Sequence, residues 1–397
     1  MTAKAAYRSA QLTEPFCLHV SISIMLLESL EVHDFRNLQG SLRFSNGLNI
    51  LVGDNGRGKT NWLEAIHFLS TTKSFKTAKP QEAIQFGKEL AIIRGRVRQS
   101  EEIVHELQIA LQLNSKLLSI NGKKESLNEY LGELHSVVFN SDTVEIVRGH
   151  PDSRRKFLDD AIVGLHPPFV QTFADYNRVI KQKNSLLQNA RDNEVPFDKV
   201  GEMLAPWNEQ LVSLATRIHK GRVRIVERLN ETLEHRLFGH EVISIRYLSS
   251  LEGKGDLSDY EALIGERLAL RVQAETISGH ALIGPHRDDL EILFDGHDLR
   301  KFGSAGQQRS ALLILQLANI SVFNATHGEY PLFLLDDLDA ELDYRRIGQL
   351  LEFLHGKTQT FVTTSKESFV EQLAPQAAVF RIENGPGKAA SINHFAL

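Results

Sequence analysis

The sequence predicts an α/β fold: a phosphate-binding head with a β-rich annex, interrupted by a long helical insertion. Three observations carry this. A short apolar run, Leu48 to Val52, breaks into Gly53-Asp54-Asn55-Gly56-Arg57-Gly58-Lys59-Thr60. A second apolar run, Leu332 to Leu335, ends in Asp336-Asp337. Between them, from about residue 143 to 237, the hydrophobic period changes from that of a strand to that of a helix.

The chain has 397 residues, 42% hydrophobic and 24% charged, which is globular material long enough for two or three cores. No run of eighteen apolar residues occurs, so no membrane span is expected. The single cysteine, Cys17, excludes an internal disulfide and fits a reducing compartment, so a cytoplasmic location is expected. A net charge of −5 gives no global attraction to nucleic acid, so any DNA contact must come from a local basic surface.

Residues 1–24 are expected to be an extension. Lys4 and Arg8 ahead of Phe16-Cys17-Leu18-His19-Val20 imitate a signal peptide, but His19, Ser21 and Ser23 interrupt the apolar stretch and no small-residue cleavage site follows. From Met25 the pattern reads strand, turn, strand: Leu26 to Val32, Ser41 to Phe44, then Leu48 to Val52, with Asp34-Phe35-Arg36-Asn37 as a solvated turn. Gly53, Gly56 and Gly58 let the backbone turn sharply and aim its N–H groups inward as a nest for anions. Asn61 to Ser70 places Trp62, Leu63, Ile66 and Leu69 on one helical face, so the nest sits at a helix N-terminus, where phosphate is favoured. In that setting Lys59 reaches the β- and γ-phosphates and Thr60 holds Mg²⁺. Leu90 to Arg98, Ile103 to Leu113 and Leu117 to Ile120 then read as strands of the annex, with Asn121-Gly122 as a hairpin turn.

The helical insertion opens near Arg154-Arg155-Lys156-Phe157-Leu158, continues from Phe169 to Asn189, and ends in a long segment, Met203 to Phe238, expected to split near Pro206. It carries local positive charge at Arg154, Arg155, Lys156, Arg178, Lys181 and Lys183, and again at Arg217, Lys220, Arg222, Arg224 and Arg228. Spacings of three and four put several of these on shared faces. Two readings stay open: a solvated face balanced by Glu227, Glu231 and Glu234, or an arm that tracks the DNA backbone.

In the C-terminal third, Asp336 at the end of a buried strand is placed to hold Mg²⁺, and Asp337 stands beside the γ-phosphate. Two adjacent anions repel unless a cation lies between them, so a purely structural role is disfavoured. About thirty residues earlier, Ser304-Ala305-Gly306-Gln307-Gln308-Arg309 precedes an apolar helix and forms a second anion-attracting N-terminus.

The order of phosphate loop, Ser-x-Gly-Gln signature, Asp-Asp strand and Ala340-Glu341-Leu342-Asp343 resembles the ABC-type ATPase heads of SMC-like chromosome and repair proteins. Within that class the chain is similar to the RecF family. The carriers are Asp34-Phe35-Arg36-Asn37-Leu38, Gly149-His150-Pro151 with Arg154-Arg155 and Phe157-Leu158-Asp159, and Gly284-Pro285-His286-Arg287-Asp288-Asp289-Leu290. The resemblance implies an N-terminal head part over 25–145, a helical arm domain over 146–279, and a second head part over 280–397. It also implies that Gly53, Asn55, Gly56, Gly58, Lys59 and Thr60 cradle ATP, that Arg36 and Asn37 lie over the nucleotide, and that Asp337 and Lys59 are catalytic. Ser304, Gly306 and Gln307 are then expected to complete the site from a facing subunit, and Asp343 to belong to a loop crossing the dimer interface.

The chain departs from transporter-type heads in three places. Position 305 is Ala, Thr364 stands where transporters place a switch histidine, and Asp337 is one methylene shorter than the usual Glu. A water-orienting group set back by one bond length can cost on the order of a hundredfold in rate, so slow hydrolysis is expected. Phe139-Asn140-Ser141-Asp142 also departs from the family pattern.

The implied function is a weak DNA-dependent ATPase of recombinational repair. It dimerises on ATP, binds double-stranded DNA and single-strand/double-strand junctions, and works with RecO and RecR. The competing reading, a transport-coupling ATPase subunit, is opposed by the distance from Gly58 to Ser304, far longer than the roughly hundred residues expected there, and by the helical, basic character of the insertion. No histidine/aspartate cluster supports a nuclease.

Overall fold

The computed structural model describes residues 25–100, 102–233, 242–368, 370 and 377–382. The predicted extension over 1–24 and the predicted helix end over 234–238 lie outside them.

Strands β1 (Leu26–Phe35) and β2 (Leu38–Arg43) form a hairpin whose turn holds Arg36 in the left-handed region, at φ 55°. β3 (Leu48–Val52) runs into the phosphate loop and α1 (Lys59–Thr71). The annex follows as β4 (Leu90–Arg98), β5 (Val104–Gln112), β6 (Lys116–Ile120) and β7 (Lys123–Lys124). Its sheet is antiparallel in the order β2-β1-β4-β5-β6-β7. Ala91, Ile93 and Val97 of β4 and Leu107, Ile109 and Leu111 of β5 alternate inward, the two-residue period of a sheet with one wet face.

After α2 (Leu127–Tyr130) and β8 (Ser136–Phe139) the chain enters the insertion through α3 (Glu145–Arg148), α4 (Pro151–Leu165), α5 (Phe169–Asp192) and α6 (Phe197–Leu233). The predicted break at Pro206 does not occur, and α6 runs through it. Proline removes one N–H donor, and here its ring lies on the exposed face. Val200, Leu204, Leu211, Ala215 and Ile218 meanwhile keep one buried stripe across it.

The insertion is not wholly helical, as its predicted domain range implied. β9 (Ile243–Leu248) lies within it, followed by α7 (Tyr260–Leu270) and α8 (Val272–Ser278). β9 pairs antiparallel with β10 (Asp289–Phe294), which in turn pairs with β11 (His297–Asp298). Then come α9 (Leu299–Phe302), α10 (Ala305–His327), β12 (Leu332–Leu335), α11 (Leu338–Glu341), α12 (Tyr344–Leu354), β13 (Thr360–Thr364) and β14 (Ala378–Arg381).

The central sheet, β14-β3-β13-β12-β8, is parallel at every pairing. Both faces are covered, which is why β12 reads as an unbroken apolar run. Leu332 and Leu334 point into a core shared with α1 and the annex, whereas Phe333 and Leu335 point into a second core with α4, α6, α10 and α12.

Candidate nucleotide-binding site

The parallel sheet brings the ends of β3, β13, β12 and β8 to one edge, where open α/β sheets place their ligands. At the end of β3, Gly53 has φ 156°, and a Cβ there would stand 2.6 Å from the Ile382 carbonyl oxygen. Gly58, at φ 99°, is the N-cap of α1, with no side chain capping the helix and no acidic residue in its first turn. The N–H groups at this helix start are therefore open to an anion. Gly56 has free space around it and Asn55 is exposed, whereas the buried Lys59 arches back so that Nζ donates to the carbonyls of Gly53, at 2.7 Å, and Asp54, at 2.9 Å. The amine is thus held over the loop where phosphate oxygens would replace those carbonyls.

Asp336 and Asp337 follow β12. The Thr363 hydroxyl donates to Asp336 Oδ1 at 2.7 Å and accepts from the Asp337 N–H at 2.8 Å, tying both acids to β13. Burial pushes the Asp336 carboxyl above the usual aspartate range. Hydrogen bonds from Thr363 and Thr60 and the charge of Lys76 oppose that shift, while Asp337 adds to it. Asp337 is exposed and left-handed, at φ 47°. A half-enclosed carboxylate beside a second carboxylate and the Thr60 hydroxyl is a donor set that suits a hard divalent cation. Thr60 and Asp336 would hold Mg²⁺, which would supply positive charge to phosphate oxygens.

The residues expected over the nucleotide separate. Asn37 Oδ1 accepts from Asn61 at 2.7 Å and would lie 3.0 Å from a Cβ on Gly58, so this turn leans on the phosphate loop. The Arg36 guanidinium is committed elsewhere, donating to both oxygens of the buried Glu64, at 3.0 and 2.7 Å, and to the Glu82 carbonyl at 2.8 Å. Three neighbours escaped the sequence reading. Thr363 joins the acids, while the singled-out Thr364 hydroxyl accepts from the Lys366 N–H. Glu64 anchors Arg36 and accepts from Ser74 at 2.6 Å. Lys76 reaches Asn61 Oδ1 at 2.7 Å, its pKa held below the usual lysine value by burial against the pull of Glu64 and Asp336. Thr60, Asp336 and Asp337 carry motif spacing that is visible in sequence, whereas Lys76 sits in a loop without pattern. Asn140, at the end of β8, caps its own turn through the Thr143 N–H at 2.9 Å.

Ser304 is the N-cap of α10. Its hydroxyl accepts from the Gln307 N–H at 3.2 Å, and Gln307 Oε1 accepts from the Ser304 N–H at 2.8 Å. Ser304, Ala305 and Gly306 are exposed, and a Cβ on Gly306 would meet nothing within 4 Å. Asp343 is also exposed and caps α12.

The basic residues of the insertion divide by exposure. Arg222, expected on a DNA-facing surface, is buried. It makes a two-pronged pair with Asp159, at 2.8 and 2.9 Å, and donates to the Pro285 carbonyl at 2.7 Å. Arg154 is likewise enclosed, paired with both oxygens of Asp289 at 2.6 and 2.9 Å and bonded to Gly149 O. Arg155 donates to Asp288 O at 2.6 Å and pairs with Asp152. These three arginines lock the Gly284 to Leu290 stretch against α4 and α6, which removes Arg154 and Arg222 from any surface face. Arg217, Lys220 and Arg224 remain exposed along one side of α6.

Comparison with known proteins agrees with this architecture. The family model described as the RecF/RecN/SMC N terminal domain matches residues 26–388. The DNA replication and repair protein RecF of Halothermothrix orenii is 34% identical over 373 residues, covering 91% of this chain and 98% of the relative. That of Gloeobacter violaceus is 36% identical over 371 residues, with 91% and 98% covered. A structure of the recombination mediator protein RecF-ATP in the RecFOR pathway superposes with a TM-score of 0.82 at 30% identity, covering 91% of this chain and 97% of that one. An Smc head, at 15% identity and a TM-score of 0.50, shares the fold.

Proposed function

Because this chain belongs to the RecF/RecN/SMC family and, within it, to RecF, we propose that it is an ATP-dependent DNA-binding protein of replication and recombinational repair. ATP drives two heads together on duplex DNA near single-strand gaps. Slow hydrolysis releases them, and RecO and RecR are the partners in loading recombinase.

The observation that carries this reading is the separation of two anion sites on one chain. The phosphate loop and Asp336 meet at the edge of the parallel sheet, while Ser304 and Gly306 are exposed at a separate helix start, where Ser304 and Gln307 bond each other and the Gly306 N–H is left for a ligand. A second copy supplies what each lacks. In the closed dimer, Lys59 and the loop N–H groups bind the β- and γ-phosphates, Thr60 and Asp336 hold Mg²⁺, and Asp337 orients the attacking water. Asn37 leans on the loop from the β1–β2 turn, and Arg36 supports it through Glu64. The duplex is expected along Arg217, Lys220 and Arg224. Among the described residues no helix is long and apolar enough to cross a membrane.

Mass in solution tests the proposal, measured with and without ATP-Mg²⁺ and a gapped duplex. Doubling of mass on ATP, reinforced by DNA, is expected. A monomer under all conditions removes the dimer from the mechanism.

A further inference from the structure

We propose that Arg148 completes the signature site in trans, its guanidinium reaching the γ-phosphate of ATP held by the phosphate loop of a second copy. The inference rests on the ATP-driven dimer proposed above.

Gln308, buried in the first turn of α10, donates through Nε2 to Gly303 O at 3.1 Å and Leu299 O at 3.3 Å. Helical side chains lean toward the N-terminus, so this amide lies beneath Ser304. Its other end, Oε1, accepts from Arg148 Nε. Arg148 is therefore moored at the level of the signature.

The rest of that side chain is unspent. Arg148 is exposed, and among the described residues its two Nη groups have no hydrogen bond or ion pair. The nearby arginines differ, since Arg154, Arg155 and Arg222 all commit their Nη groups to carboxylates or carbonyls. A guanidinium fixed at Nε and open at both Nη positions matches the two-pronged geometry of a phosphate. The signature itself offers only partial charge, because Ser304 and Gln307 satisfy each other's N–H groups and leave those of Ala305 and Gly306 for a ligand. A full positive charge anchored through Gln308 to the same helix start supplies what a γ-phosphate needs.

The mooring is also rigid. Gly149, next to Arg148, closes α3 where a Cβ would strike Glu145 O at 2.5 Å, and the buried Arg154 bonds Gly149 O at 3.0 Å. Arg148 thus stands on a turn held by the Arg154–Asp289 pair.

Complementation between two full-length variants tests the assignment. Arg148→Gln alone should bind a fluorescent ATP analogue as the parent does, yet lose roughly tenfold or more in ATP-dependent dimerisation and turnover, the worth of one charge-assisted hydrogen bond. Mixed with Lys59→Ala, it should regain turnover severalfold above either variant alone, because the Lys59→Ala copy donates an intact Arg148 to the nucleotide of the other. Ser304→Arg mixed with Lys59→Ala is the control. If the control mixture regains turnover and the Arg148→Gln mixture does not, Arg148 does not act in trans and the inference fails alone. If neither mixture regains it, the dimer reading fails and takes Arg148 with it. Parent-like dimerisation of Arg148→Gln also overturns the inference.

Discussion

Asp336 is held in an environment that disfavours its charge, and this sets its pH behaviour. A carboxyl whose folded pKa is raised adds stability while protonated, and that stability is lost as pH rises through the shifted value. Without Mg²⁺, thermal stability should therefore decline across that window, and Asp336→Asn should flatten the decline and raise the melting temperature at neutral pH. Mg²⁺-dependent ATP binding should run the opposite way, weakening as pH falls through the same raised pKa, and Asp336→Asn should abolish it. Asp337 is exposed, so Asp337→Asn should bind ATP normally and accumulate the ATP dimer; hydrolysis at the parent rate would show that another group orients the water. Arg222 makes a contrasting case at the same scale. Arg222→Ala leaves the part-buried Asp159 without its partner and should cost up to about 3–5 kcal/mol in denaturant unfolding, with DNA affinity falling only as far as the fold does. A run of basic residues spaced three and four apart cannot reveal which of them meets an aspartate 63 positions away, so the sequence placed Arg222 and Arg224 on one footing.

Elements were legible wherever their signal was local. The phosphate loop, α1, the annex strands and β12 each carry their own periodicity or glycine pattern and lie where the sequence put them. β9 did not announce itself, because its partner β10 lies beyond two helices and its pairing with residues 289–294 exists only in three dimensions. Thr363 and Lys76 were hidden for the same reason: they enter the site through the sheet edge and a loop, not through a motif. Pro206 was over-read, since a helix held by a long buried stripe absorbs one missing hydrogen bond. Pro206→Ala should restore that bond and stabilise the protein by up to about 3 kcal/mol, less whatever proline gains by stiffening the unfolded chain, as measured by chemical denaturation. Destabilisation would mean that α6 depends on the proline for its path.

For the whole molecule, the exposed side of α6 carries Arg217, Lys220 and Arg224, followed by exposed Glu227 and Glu231. Duplex binding should depend on ATP if two such faces must flank one DNA, and it should weaken steeply with salt. Charge reversal at Lys220 and Arg224 should lower the log–log salt slope by about one per lost contact while leaving unfolding within about 0.5 kcal/mol of the parent. An unchanged slope in a duplex titration would move the DNA to the head surface.

The central sheet separates two cores, and each draws on residues from both ends of the chain. Leu332, Leu334, Phe361 and Phe380 seal the core that α1 and the annex began, while Phe333 and Val362 seal the one that α4 and α6 began. On the ribosome this imposes an order. The phosphate loop emerges early but its strand has no parallel neighbour until β13 appears more than three hundred residues later. Until translation nears its end, the nascent chain exposes two unfinished apolar surfaces, and a stalled or truncated product should be a client of chaperones and proteases instead of a partial enzyme.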